Sequence, residues 1–152
     1  MKSRPDSAVS KIVVRNLQRA RRINVRDLER FAKAALARCL KIRKRVPTEL
    51  MRLREISVLL VSDRRMTGLH RQFLGKSAPT DVLTFQHGEI VVSVETAARN
   101  ARRFGNSLGQ ELRLYLVHGL LHLHGFDDRN NADAKKMEAA QWRILERADG
   151  LN

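Results

Sequence analysis

Residues 107–128, SLGQELRLYLVHGLLHLHGFDD, hold a helix with a visible start, stripe and stop. Ser107 is a capping residue, Leu112, Leu116, Leu120 and Leu123 recur at helical spacing, and Gly125 ends the run. On such a helix His118 and His122 lie one turn apart and project from the same face. Two neutral imidazoles so placed can reach one metal ion. Beyond Gly125 the chain is free to reverse, which brings Asp127 and Asp128 back towards that face.

Working outward from this helix, the segments before it alternate in type. Residues 11–14 form a short β-branched run, a predicted first strand. From Val25 to about Ile42, apolar Val25, Leu28, Phe31, Ala32, Ala35, Leu36, Cys39 and Leu40 follow a helical period, which Pro47 and Thr48 interrupt. Residues 55–61, EISVLLV, read as a mostly buried strand, and Asp63 can then cap a helix through Met66, Leu69 and Phe73 that Gly75 closes. Two more short strands are expected at 81–85 and 89–92, with Gln86, His87 and Gly88 as their turn. A helix over 93–103 closes at Gly105. After the histidine helix, Asn131 opens a last helix through Met137, Trp142 and Leu145. The predicted class is α+β: one small mixed sheet of about four strands covered by helices, with the metal-bearing helix near 107–124.

The chain has 152 residues, room for one domain with a substantial core, and nothing in it marks a linker or a repeat. A single domain over 1–152 is expected, with residues 1–10 flexible. The net charge of +14 is unevenly distributed: residues 1–54 carry 17 Lys/Arg against 4 Asp/Glu, and the rest is nearly neutral. A one-sided basic excess points to a polyanionic partner, bound through phosphate contacts and counterion release. Membrane insertion is not expected, because the longest apolar stretch, 114–123, is short and broken by both histidines. The first 25 residues are studded with Arg and Lys, so a signal peptide is not expected either. Cys39, the one cysteine, excludes an internal disulfide and a multi-cysteine metal site. These features predict a cytoplasmic protein.

Two imidazoles and a carboxylate are a three-ligand catalytic set of the kind zinc uses, with a fourth position left for water or substrate. The peptidase form of such a helix needs a glutamate directly after the first histidine as general base. Gly119 stands there, which disfavours peptide hydrolysis by that route.

The segment HGLLHLHGFDD, 118–128, closely resembles the signature of the YbeY family of rRNA maturation endoribonucleases, H-G-x-L-H-L-x-G-Y-D-H. His118, Gly119, Leu121, His122, Leu123, Gly125 and Asp127 match it, and Phe126 replaces the tyrosine. Residues 79–85, PTDVLTF, are similar to the family's P-T-D-V-L-S-F, and 88–93, GEIVVS, to its G-D-I-x-I-S. The resemblance runs from about Lys11 onward. It implies a small sheet with a metal-bearing helix, zinc or another divalent ion on His118 and His122, and single-strand-specific RNA cleavage. It further implies a role in rRNA maturation (16S rRNA 3′-end processing) and ribosome quality control, with rRNA and the small ribosomal subunit as partners.

Two positions depart from the family pattern. Its third ligand histidine is Asp128 here; a carboxylate oxygen is an acceptable zinc ligand, lowers the charge of the centre by one and favours harder ions. The family's Y-R-G-K becomes Phe73, Leu74, Gly75 and Lys76. The missing arginine would face RNA phosphate near the metal, and Arg71, one turn earlier, or Lys76 is placed to supply that charge. His118, Arg71 and Lys76 are accordingly the catalytic candidates, and His118, His122 and Asp128 the metal ligands.

Other residues have plainer readings. His124 leaves the ligand face and reads as a surface or supporting residue, His87 as a solvated turn residue, His70 as an exposed helix residue, Cys39 and Trp142 as core. Asp127 either orients a ligand imidazole or caps the turn after Gly125. The basic tracts at Arg19, Arg21, Arg22 and at Lys41, Arg43, Lys44, Arg45 exceed what solubility requires. With few aromatic residues beside them, attraction to phosphate is favoured over base reading. A ribosome- or RNA-binding accessory protein with a structural metal is the alternative function, and a hydrolase with another substrate the third.

Overall fold

A computed structural model of the protein describes residues 11–74 and 82–149. The chain order is β1 (Lys11–Asn16), α1 (Val25–Leu40), α2 (Glu49–Arg52), β2 (Glu55–Val61), α3 (Asp63–Leu74), β3 (Val82–Phe85), β4 (Glu89–Ser93), α4 (Val94–Phe104), α5 (Leu108–Leu123) and α6 (Asn131–Asp149). The strands form one four-stranded sheet in the order β1-β2-β4-β3. β1, β2 and β4 run parallel and β3 returns antiparallel at the edge. The class is the α+β arrangement with a small mixed sheet that the sequence predicts.

Strand side chains alternate between two faces. Ile12, Val14, Ile56, Val58, Leu60, Ile90 and Val92 belong to the main core with α1, α5 and α6. The opposite face is smaller: Val61, Val91 and Leu83 pack with Met66 of α3. α5 lies at the centre, touching α1, α4, α6, β3 and β4. Gly119 makes the closest approach: a Cβ there would stand 2.7 Å from Cγ2 of Ile90. The glycine that replaces a peptidase glutamate is thus a packing requirement, since the position faces the sheet rather than solvent.

Local sequence sets the helix ends that matter for the site. Ser107 and Gln110 form a reciprocal capping box at the start of α5. At its end Gly125 (φ 85°) donates its N–H to the His122 carbonyl while Phe126 donates to that of Leu121. This is a Schellman motif, in which a left-handed glycine satisfies two of the last helical carbonyls. Ser93 caps α4, and Gly105 in the left-handed region closes it.

Several sequence expectations need correction. Ser62, not Asp63, receives the first N–H groups of α3, from Arg65 and Met66. The Asp63 carboxylate instead accepts from Ser93, Thr96 and Arg99 and pins α3 to the start of α4. Thr48 does not merely interrupt a helix: it caps the short α2 that follows. Trp142 is 54% exposed, because Met137, Ala140, Ile144 and Ala148 form the buried stripe of α6 and Trp142 points away from it. His70 is half-buried, and its buried Nδ1 has no hydrogen-bond partner among the described residues. Gly75, Lys76 and the start of the PTDVLTF block lie outside the described residues, as do residues 1–10.

Candidate metal centre

His118 and His122 project from α5 with their rings edge to face, centroids 4.6 Å apart. Their Nε2 atoms are separated by 3.1 Å. The Schellman turn brings the chain back so that Oδ2 of Asp128 lies 3.8 Å from Nε2 of His118. Among the described residues, these three are the one group of His, Cys, Asp or Glu whose donor atoms could hold a metal ion, all lying within 4.8 Å of one another.

The tautomers follow from the other ring nitrogens. Nδ1 of His122 lies 3.2 Å from the Phe126 carbonyl oxygen, and Nδ1 of His118 3.2 Å from Oε1 of Gln141. Each acceptor fixes the N–H at Nδ1 and leaves the Nε2 lone pair directed at the shared point. Two lone pairs facing each other at this distance repel unless a cation stands between them. Tetrahedral ligands about 2.0–2.1 Å from zinc would be separated by about 3.4 Å, so the donor set fits such an ion with small adjustments.

Beside the histidines opens a cavity of about 600 Å³. Val82, Leu83 and Thr84 of β3 and Gln86 of the following turn form one wall, with Glu49, Phe126, Asp127 and Arg129 among the residues around the rest. Lys44 sits over the Phe126 ring, its Nζ 3.6 Å from the centroid. Partial burial pushes that ammonium below its ordinary pKa.

The predicted residues are placed as follows. His118, His122 and Asp128 come together as expected. Asp127 takes the capping role of the two left open: its Oδ1 accepts from the backbone N–H of Asp128 and Arg129, and its Oδ2 pairs with the Arg129 side chain. The imidazoles are oriented by Phe126 and Gln141 instead. Arg71 is exposed in the last turn of α3 and is not among the residues lining the cavity, and Lys76 lies outside the described residues.

His124 is not a surface residue. It is fully buried, its Nε2 donating to the Ile42 carbonyl at 2.8 Å and its Nδ1 2.9 Å from the Thr48 hydroxyl. Burial pushes its pKa down, only partly offset by the Ile42 hydrogen bond. Cys39 is buried as expected, and burial pushes its thiol up to about 12, which keeps it protonated and inert. His87 is exposed and pairs with Glu89. Gln141, Arg129, Glu49 and Gln86 carry no signal in the sequence, because each reaches the site through tertiary structure rather than a motif.

The fold and this cluster define a class: an α+β protein that presents a two-histidine, one-carboxylate donor set from a helix packed on a small mixed sheet. The chain matches the family model described as Endoribonuclease YbeY over residues 13–149, and it belongs to that family. It is 48% identical over 107 residues to an endoribonuclease YbeY of Anaeromyxobacter sp. (strain Fw109-5), covering 64% of this chain and 55% of that relative. To one of Frankia casuarinae it is 32% identical over 146 residues, covering 83% of this chain and 71% of the relative. The solution structure of a Thermotoga maritima protein superposes with a TM-score of 0.64 at 29% identity, over 90% of this chain and 88% of that one. The chain spans about half the length of some curated relatives, 55% for the Anaeromyxobacter protein. Among the described residues no helix is long and apolar enough to cross a membrane.

Proposed function

We propose that this protein is a metal-dependent, single-strand-specific endoribonuclease that hydrolyses RNA phosphodiesters in the maturation of ribosomal RNA, acting in the cytoplasm on RNA of the small ribosomal subunit as one domain. The observation that carries the reading is the convergence of His118, His122 and Asp128 on one point at the edge of a cavity that also holds Arg129. Family membership supports the choice of RNA as substrate.

His118, His122 and Asp128 would hold one divalent ion, with zinc the choice their chemistry favours. Bound there, the ion would supply Lewis acidity towards a phosphoryl oxygen and towards an attacking water. Gln141 and Phe126 fix the orientation of the two imidazoles through Nδ1, which leaves Nε2 turned towards the proposed ion. Hydrolysis builds negative charge on the phosphoryl oxygens, and positive groups preorganised around it lower the barrier. Arg129, paired with Asp127, lines the cavity, and Lys44 stands over Phe126, another of its lining residues. Arg71 and Lys76 are proposed to contribute the charge that Leu74 cannot. Thr84 and Gln86 offer hydrogen-bonding groups to sugar or base along the β3 wall.

Elemental analysis of the purified protein should find about one equivalent of zinc or a similar ion. The protein should cut single-stranded RNA in preference to duplex, and His118→Ala should abolish both cutting and most of the bound metal. Stoichiometric metal without any RNA cleavage would refute the enzymatic reading.

A further inference from the structure

The basic excess of the first third meets cations from the far end of the chain in a second cavity. This space of about 320 Å³ lies between the C-terminal end of α1 and the last turns of α6. Five cationic side chains line it: Arg38, Lys41 and Arg43 from one side, Arg143 and Arg147 from the other. Its remaining lining is apolar, Ile42 and the buried Ile144. Among the described residues no acidic side chain lines the cavity and none of the five cations is ion-paired.

A cation near a helix C-terminus complements the negative end of its dipole, and one per helix is enough for that purpose. Here Arg143 and Arg147 stand at i,i+4 and Arg38 and Lys41 at i,i+3, spacings at which like charges repel. Such a cluster is most stable with an anion in it. The segment 41–44 also joins this cavity to the metal cavity. Arg43 lines the first, and the next residue, Lys44, lies over Phe126 at the second. The Ile42 carbonyl is hydrogen-bonded to His124, two residues after a ligand histidine.

We propose that the Arg143–Arg147 cavity is a second phosphate-binding site, which grips the sugar–phosphate backbone of an RNA strand several nucleotides from the bond held at the metal centre. The proposal rests on the RNA-cleaving reading. It assigns α6, from the nearly neutral part of the sequence, a role in holding substrate. Phosphate contacts carry affinity without base preference, so the site would serve strands of any sequence that are long enough to span both cavities.

The test uses the full chain and end-labelled single-stranded RNAs of about 12 and about 4 nucleotides, a long and a short strand within the range of single-strand site sizes. Arg143 and Arg147 are exposed, so the double variant Arg143→Glu, Arg147→Glu should fold and keep its metal. Its affinity for the longer RNA should fall on the order of tenfold, and the log–log salt slope should shrink by roughly 1.4, about 0.7 for each of two single-strand phosphates no longer neutralised. Binding of the short RNA should change far less. A control with the same charge reversal, Arg102→Glu with Arg103→Glu on α4, should leave the longer RNA better bound than the α6 variant does. An unchanged affinity and slope in the α6 variant would overturn the second site while leaving the RNA reading intact. Equal losses in both double variants would overturn it too, by showing that net charge alone matters. If the unaltered protein binds neither RNA, the RNA-cleaving reading falls and the second site with it.

Discussion

Replacing Gly119 with alanine sets two effects of opposite sign against each other. In an exposed helix interior, Gly→Ala gains about 1 kcal/mol, because alanine loses less backbone entropy on folding. At position 119 the added Cβ would stand 2.7 Å from Cγ2, 3.0 Å from Cδ1 and 3.1 Å from Cγ1 of Ile90. Ordinary carbon contacts are about 3.5–4.0 Å, so α5 or Ile90 must give by roughly 1 Å. Ile90 is fully buried on β4, which is hydrogen-bonded on both sides by β2 and β3. Its Cγ2 is fixed to the branched Cβ, so relief requires a poor χ1 or movement of the helix. Overpacking of this kind costs about 1–3 kcal/mol, and the net is a loss of about 1 kcal/mol after the propensity gain.

For a protein of this size that is a fall of about 3 °C in Tm, measurable by thermal or urea denaturation. Ile90→Ala removes all three close atoms, so Gly119→Ala should become stabilising by about 1 kcal/mol in that background, a coupling of about 2 kcal/mol. The helix displacement also moves His118 and His122, so Gly119→Ala should weaken zinc retention against a chelator. A Gly119→Ala protein that is more stable than its parent, or an additive double-mutant cycle, would refute the close approach of α5 to β4.

Three further outcomes are expected. Asp128→Ala should weaken zinc binding by upwards of roughly 100-fold in chelator competition while Asp128→His retains it, and unchanged retention in the alanine variant would remove Asp128 from the ligand set. His124→Leu strands the Ile42 carbonyl and the Thr48 hydroxyl in the interior, at a cost of about 2–4 kcal/mol in urea denaturation; a neutral effect would contradict their pairing. Burial raises the Asp63 pKa, but hydrogen bonds from Arg99, Ser93 and Thr96 outweigh it and hold the carboxyl below its ordinary value. Its stabilisation is therefore complete above the unfolded-state pKa of about 3.9 and is lost as pH falls through the folded value, so the stability gap to Asp63→Asn should be widest near neutrality and close in acid. A gap independent of pH would show that the carboxylate's charge plays no part.

What is legible in the sequence is what local chemistry controls. The bounds of β2 and the ends of α4 and α5 follow from a β-branched run, capping serines and glycines, and the structure reproduces them. His118 and His122 are legible because i,i+4 spacing fixes a shared face whatever surrounds it. Trp142 misleads because two apolar stripes are available on α6, and only packing against α1 and α5 selects the one containing Met137 and Ile144. Asp63 has the look of a cap, but Ser62 beside it does that job, and the partners that claim the carboxylate lie about thirty residues on. Gln141 is invisible for a related reason: no pattern ties it to a histidine on another helix.

His124 is the least legible residue and has the widest structural consequences. Its hydrogen bonds to Ile42 and Thr48 fasten both ends of segment 42–48 to the last turn of the histidine helix. Between those ends Lys44 is held over Phe126, and the Phe126 carbonyl orients His122. One turn of chain therefore sets the direction of the His122 imidazole and the position of Lys44. The basic excess, read from the sequence as a diffuse property of the first third, is at this point one lysine fixed over Phe126, a residue that lines the cavity beside the histidines. A solvated charged face would need no such anchoring, because long side chains in water gain nothing from a buried histidine beneath them. Under the proposed RNA-cleaving function, fastening a lysine beside the histidine helix would place its charge where a phosphate backbone approaches the proposed metal site.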